Sequence, residues 1–240
     1  MTEPEITAPH RPLPGGLLAL VLFMTGAELL LQLADTGLLV EASLRGRIYA
    51  SGAFWAPLLH GAEPMFALQP VTMFISHALL HGGLVHLGLN MAVLLGLGRL
   101  IADLYGERTL LPLFLLSAIA GGGAFGLISA SPIPMVGASG AVFGFLGVWS
   151  AWDWRRHREA GLSPRPVLMR GAALVLVNLL LFFGMDGMIA WEAHLGGYAA
   201  GLLVGAWLER ARSVKHREGR AEARRRRSGE RGDGAADPEK

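Results

Sequence analysis

Side chains able to carry out chemistry stand out in this sequence because they interrupt long apolar stretches. They occur at four places: a group of His77, His81, His86 and Asn90; Ser139 in a Val-Gly-Ala-Ser-Gly run; His194 in an Ala-His-Leu-Gly-Gly run; and Glu28. Polar groups inside a membrane span are costly and usually mark function. Ser139 and His194 are a nucleophile and a base, so their residue types favour nucleophilic catalysis. Glu28 belongs to no motif.

Nucleophilic catalysis by a serine needs several partners. The hydroxyl is a weak nucleophile without a neighbouring base, for which the imidazole of His194 is suitable. The tetrahedral intermediate needs hydrogen-bond donors, which the Asn90 amide, the His86 ring and the Ser139 backbone N–H could supply. Glu192 would lie on the wrong side of a helix to orient His194. The sequence therefore predicts a Ser-His dyad, with neither a metal nor a cofactor.

The elements that position these groups are predicted to be membrane helices. A bilayer core requires about 20 mostly apolar residues per helix. Six stretches qualify: 15–34, part of 71–101, part of 109–130, part of 136–151, 167–185 and 188–208. The sequence thus predicts an all-α membrane protein with a six-helix bundle over residues 15–209. Residues 1–14 and the basic tail 210–240 are predicted to be disordered.

The distribution of charge supports a membrane protein. Charged residues make up 17% of the chain, and residues 209–240 contain 18 of the 40. Residues 109–152 contain none, which excludes a soluble enzyme with a polar surface and argues against a nucleic-acid partner. The chain has no cysteine, so disulfides and thiolate metal sites are excluded. The expected partner is the lipid bilayer.

Basic residues predict the orientation of the bundle. Lysine and arginine are enriched in cytoplasmic loops, and here they concentrate between spans two and three, between spans four and five, and after span six. These three segments lie on one side of a six-span bundle. Both termini are therefore predicted to be cytoplasmic, in an integral multi-pass protein of a bacterial inner membrane. The first loop, residues 36–70, is long and apolar enough to lie in the membrane interface.

Glycine spacing predicts how the helices approach one another. His194, Gly197 and Gly201 fall on one face of span six, and Gly137 and Gly140 begin a similar stripe on span four. Small residues at this spacing allow close helix contact, which would bring Ser139 near His194. On ideal geometry Ser139 lies about 120° from the centre of its own stripe.

Spans two, four and six run in the same direction across the membrane. His86, Ser139 and His194 each lie early in one of these spans. The three side chains are therefore expected at a similar depth, as a shared site would require.

With these motifs the chain resembles the rhomboid family of intramembrane serine proteases. The matching motifs are His81-Gly82-Gly83-Leu84-Val85-His86 with Asn90, then Gly137-Ala138-Ser139-Gly140, then Ala193-His194-Leu195-Gly196-Gly197. They occur in the family's order, and the resemblance covers roughly residues 15–209. It implies hydrolysis of peptide bonds in or near the transmembrane segments of single-span membrane proteins.

The resemblance also implies roles for individual residues. Ser139 would be the nucleophile and His194 the general base and acid. His86 and Asn90, with the Ser139 N–H, would form the oxyanion site. His81 would be structural, bonding backbone in the first-loop region, and the Phe143 ring would pack against the catalytic histidine.

Three positions depart from the family pattern. Thr72 and Met73 stand where many members have Trp-Arg in the first loop, and Ala102 stands where many have glutamate. None of these departures affects the residues proposed for the chemistry.

Other interpretations stay open at this stage. His86 and Asn90 could join helices without catalysis, and the histidines could form a metal centre. However, His77 and His81 would lie about 140–180° from His86 on a helix. A small transporter would show ionisable residues along a path or an internal repeat, and we find no repeat. The main alternative is a catalytically silent rhomboid-like protein that binds membrane clients.

Overall fold

The chain folds into a helical bundle. A computed structural model describes residues 12–37, 43–129, 131–184 and 189–233, with side chains left undescribed at 181–184 and 215–233. These segments contain eight α-helices: α1 Gly15–Asp35, α2 Leu44–Gly52, α3 Gln69–Ser76, α4 Leu84–Tyr105, α5 Leu110–Ile128, α6 Ser139–Glu159, α7 Arg165–Gly184 and α8 Trp191–Asp233. The described segments include no strand, only an isolated bridge between Phe54 and Met135. The predicted all-α membrane bundle is confirmed.

Helices α1, α4, α5, α6, α7 and α8 occupy the six stretches predicted as spans. Three helices in the described part of the chain are long and apolar enough to cross a membrane by length and composition: Gly15–Asp35, Leu84–Tyr105 and Glu107–Ile128. The second span is shorter than the apolar stretch that predicted it. The stretch is divided by a turn before α4, where Gly83 has a φ of 126° that an L side chain rarely adopts.

Large apolar side chains cover the outside of the bundle. More than half of the surface is exposed for Leu22, Phe23, Val85, Leu89 and Leu127. In water this apolar surface would be unfavourable at about 25 cal/mol per Å². A hydrocarbon environment removes that penalty, so the exposed pattern fits a surface that faces lipid.

The first loop packs onto the bundle. It contains α2, a 3-10 helix at Ala56–His60 and α3. The Phe54 ring is fully buried, and it lies so close to α5 that a Cβ added at Gly122 would be 2.8 Å from it. Phe54 also makes two backbone hydrogen bonds with Met135, at 2.9 and 3.0 Å. The first loop is therefore joined to the segment that leads into α6.

Helix α8 continues further than the sequence predicts. Its backbone is helical to Asp233, so a helix covers residues 210–233 of the tail, for which the sequence predicts disorder. Arginine, alanine and glutamate dominate this stretch, and all three are good helix formers. Residues 1–11 and 234–240, which complete the predicted disordered ends, lie outside the described residues.

Candidate active site

Ser139 is the first residue of α6, and the turn before it is held in place by hydrogen bonds. Gly137 has a φ of 131°, and its N–H donates to the His77 carbonyl at 2.9 Å. The Ser139 backbone N–H lies in the first helical turn, where N–H groups have no intrahelical acceptor. Both the side chain and the backbone N–H of Ser139 can therefore face a reacting group.

Helices α6 and α8 approach one another at backbone distance, as their glycine spacing predicts. A Cβ built on Gly197 would lie 2.7 Å from the Gly140 carbonyl carbon, and one built on Gly201 would lie 2.6 Å from that of Gly144. Carbon atoms in contact normally lie about 3.5–4.0 Å apart. Only glycine permits this approach, which sets the spacing between Ser139 and the first turn of α8.

The close approach brings Ser139 and His194 into hydrogen-bond contact. The Ser139 Oγ lies 2.9 Å from the His194 Nε2. Both residues are half-buried, so the pair is supported by the bundle while remaining reachable. The Phe143 ring stacks on the imidazole, with centroids 4.3 Å apart and planes 5° from parallel. One face of the imidazole is therefore fixed by the next turn of α6.

His86 lies against the turn that precedes Ser139. A Cβ built on Gly137 would be 2.6 Å from the His86 Cε1 and 2.9 Å from its Nε2. The Gly82 N–H donates to the His86 Nδ1 at 3.4 Å, so the neutral ring carries its proton on Nε2. That N–H is directed toward the turn. The buried Asn90 donates one amide N–H to the His86 carbonyl at 2.9 Å, and its amide has a second N–H.

His81 is structural in a different way from the one expected. Its ring is buried, but neither ring nitrogen has a hydrogen-bond partner among the described residues. The ring instead packs edge-on against His86, with centroids 5.3 Å apart. The expected bond from the ring to first-loop backbone is therefore wrong. The contact with the first loop is made instead by the His81 carbonyl, which accepts hydrogen bonds from Arg45 and Tyr49.

Arg45 of α2 connects the first loop to α1 and to this turn. Its guanidinium donates to Glu28 at 3.0 Å, to Asp35 at 2.7 Å and to the His81 carbonyl at 3.2 Å. Burial lowers the pKa of Arg45, but its hydrogen bonds with Glu28, Tyr49 and Asp35 outweigh that effect and raise the pKa overall. Burial raises the pKa of the Tyr49 hydroxyl, which donates to the His81 carbonyl at 2.5 Å. Glu28, which the sequence left unassigned, is thus the partner of Arg45.

Asn178 of α7 is a contact that sequence reasoning missed. Its Oδ1 lies 2.5 Å from the His194 Nδ1. The sequence does contain a signal for this contact. Asn178 is an amide within a long apolar run, and polar side chains in a membrane span usually have a functional role. The third member of a serine triad is usually an acid, and a neutral amide such as Asn178 does not fit that expectation.

The described residues contain no group of three or more histidine, cysteine, aspartate or glutamate side chains arranged to hold a metal ion. The His77 Nδ1 is bonded to the Met73 carbonyl at 2.8 Å.

Comparison with known proteins identifies the family. A family model described as "Rhomboid domain" matches residues 69–211, more than half of the chain. The chain belongs to the rhomboid family. This confirms the resemblance seen in the motifs, and it makes the protein an integral membrane protein of a protease family.

Curated rhomboid relatives match a little over half of the chain. RHOMBOID-like protein 4 of Arabidopsis thaliana is 35% identical over 133 residues, which are 52% of this chain and 31% of the relative. Rhomboid protease GluP of Bacillus subtilis is 31% identical over 134 residues, 54% of this chain and 24% of the relative. Rhomboid protease GlpG of Pectobacterium atrosepticum is 35% identical over 136 residues, 56% of this chain and 47% of the relative. The matches span less than half the length of each of these relatives.

Proposed function

We propose that this rhomboid is an active intramembrane serine protease that uses Ser139 and His194. The observation that carries the proposal is the 2.9 Å separation of the Ser139 Oγ and the His194 Nε2, in a chain of a protease family. A nucleophile and its base require hydrogen-bond reach. The substrates are single-span membrane proteins, cut in or near their transmembrane segments.

The reaction follows from the groups around the serine. The His194 Nε2 takes the Ser139 hydroxyl proton as Oγ attacks the carbonyl carbon of the scissile bond. The resulting oxyanion accepts hydrogen bonds from the Ser139 backbone N–H and the His86 Nε2–H, with the Asn90 amide as a further donor. The C–N bond then breaks, and His194 gives its proton to the leaving amine.

The second half of the reaction uses water. His194, again neutral, takes a proton from a water molecule that attacks the acyl-enzyme ester. The tetrahedral intermediate forms at the same oxyanion site and collapses. The Ser139 oxygen leaves and regains its proton from His194, so the net reaction is peptide plus water giving an acid and an amine.

The experiment that tests this proposal is activity-based labelling with a fluorophosphonate, combined with cleavage of a single-span substrate in proteoliposomes. Ser139→Ala and His194→Ala should each reduce cleavage at least about 10³-fold, and Ser139→Ala should abolish labelling. Ser150→Ala, a serine elsewhere on α6, is the matched control and should label normally. Undiminished labelling of folded Ser139→Ala would refute the assignment.

A folded wild-type protein that neither labels nor cleaves would favour the catalytically silent alternative. Retention of a single-span client on the inactive protein in detergent would then support a binding role. Flux of ions or solutes through proteoliposomes would point instead to a transporter.

We propose also that both termini are cytoplasmic, in a bacterial inner membrane. The proposal is supported by the arginines at the α6–α7 connection and on α8, because positive residues favour the cytoplasmic side. Reporter fusions at the two ends would test it. A periplasmic signal from either end would refute the orientation.

A further inference from the structure

The imidazole of His194 is held at both of its nitrogens by different helices. Its Nε2 meets Ser139 of α6 at 2.9 Å, and its Nδ1 meets the Oδ1 of Asn178 of α7 at 2.5 Å. A neutral imidazole carries a proton on only one nitrogen. The partner at Nδ1 therefore decides whether Nε2 is free to accept a proton.

The orientation of the Asn178 amide is fixed by a second hydrogen bond. Its Nδ2 donates to the Leu174 carbonyl, one turn earlier on α7, at 3.0 Å. The reverse orientation would place two oxygen atoms against each other at that carbonyl. The Oδ1 must therefore face His194, and an amide oxygen can only accept a hydrogen bond.

We propose that Asn178 is a positioning residue that keeps the His194 proton on Nδ1. This inference rests on the proposed protease function, because its consequence is an Nε2 lone pair directed at the Ser139 hydroxyl. With the proton on Nε2 instead, His194 could not act as base. Asn178 acts through His194 and needs no contact with the substrate.

The Asn178 amide also suits the charged state of the reaction. When His194 has taken the serine proton, its Nδ1–H still donates to the same Oδ1, so the hydrogen bond survives the proton transfer. The bond then has a charged donor and becomes stronger. The Phe143 stack fixes the plane of the ring, and Asn178 fixes its rotation and tautomer.

A purely structural role predicts a different result. Hydrogen bonds between membrane helices contribute modestly to stability. In a purely structural role, the Asn178 hydrogen bond would stabilise the contact of α7 with α8 and do nothing else. Removing it would then lower thermal stability and leave the tautomer and kcat unchanged. A positioning role predicts that the tautomer and kcat both change.

The test uses four variants of the full chain in detergent and proteoliposomes. Asn178→Leu and Asn178→Ala remove the acceptor, with and without conservation of volume. Asn178→Asp retains an acceptor oxygen. Val175→Ala, at an exposed position of the same helix, is the matched control.

Kinetics and spectroscopy give independent readouts. Asn178→Leu and Asn178→Ala should lower kcat about 5- to 10-fold with little change in KM, as expected for the loss of one hydrogen bond. Asn178→Asp should remain closer to wild type. With 15N-labelled histidine, NMR should show His194 protonated at Nδ1 in wild type and a tautomer mixture in the Leu and Ala variants, with the resonances assigned against His194→Ala.

The outcomes separate this inference from the proposed function. Wild-type kcat and an unchanged tautomer in Asn178→Leu or Asn178→Ala would overturn the positioning role, even if the protein melts at a lower temperature. A wild-type protein without activity would refute the protease function. The NMR comparison would still decide whether Asn178 controls the tautomer.

Discussion

The substitution Gly197→Ala tests the idea that glycine contact between α6 and α8 sets the geometry of the site. The new Cβ would lie 2.7 Å from the Gly140 carbonyl carbon, whereas carbon contacts normally need about 3.5 Å or more. The obstruction is backbone, so rotation of a side chain cannot relieve it. The Gly140 carbonyl oxygen is closer still, at 1.9 Å, so the two helices must separate by at least about 1 Å at this level.

Separation at Gly197 is transmitted directly to the reacting groups. Gly140 follows Ser139, and Gly197 lies one turn after His194 on the same face of α8. A 2.9 Å hydrogen bond extended by about 1 Å no longer meets hydrogen-bond geometry. Misplacement by about 1 Å costs roughly 10²-fold in rate. We therefore expect fluorophosphonate labelling of Gly197→Ala to slow about 100-fold.

Alanine substitutions at two other glycines serve as comparisons for Gly197→Ala. Gly140→Ala should have a smaller effect, because its Cβ would lie 3.3 Å from the Ala193 oxygen. Gly96→Ala adds a methyl group where nothing lies within 4 Å, so it should label like wild type and melt at the same or a higher temperature. Labelling rates in detergent and thermal unfolding would be measured together. Wild-type labelling of folded Gly197→Ala would refute the reasoning.

Two further predictions concern the turn before α4. His86→Ala should lower kcat for substrate cleavage about 10²-fold through loss of an oxyanion donor, with the melting temperature nearly unchanged; an unaffected kcat would exclude His86 from the oxyanion site. Arg45→Ala leaves the buried Glu28 without its guanidinium partner and should destabilise the protein by about 3 kcal/mol in denaturant unfolding. Adding Glu28→Gln should recover part of that loss, and a double variant as unstable as Arg45→Ala alone would contradict the pairing.

Much of the arrangement could be predicted from local patterns. Apolar length located the spans, and the spacing of Gly197 and Gly201 predicted the close contact with α6. These features depend on one helix at a time and on a fixed periodicity. The pairing of Ser139 with His194 followed because both lie beside the same glycine contact.

The angular mismatch predicted for Ser139 does not arise from Gly137. Helix α6 begins at Ser139, so Gly137 is not part of its stripe, yet Ser139 still lies about 100° from Gly140 on ideal geometry. The Ser139 Oγ nevertheless reaches the His194 Nε2 at 2.9 Å. Helix angle alone therefore could not predict this pair, and the boundary of α6 could not be determined from the apolar pattern.

The partners of His194 and Glu28 depend on how separate elements meet. Asn178 of α7 reaches His194 of α8, and Arg45 of α2 reaches Glu28 of α1. Neither relation has a fixed sequence spacing. The residue types were informative, since both Asn178 and Glu28 are polar within apolar helices, but their partners required the tertiary structure.

The contact between α6 and α8 also determines when the proposed protease can become active during its synthesis. A nascent chain emerges from its N-terminus, so Ser139 is made before the helix that carries its base. Until α8 packs against α6, Ser139 lacks the imidazole of His194 as its base. The proposed protease is therefore inactive as a partly inserted chain, and the packing of α8 against α6 is the step that activates it.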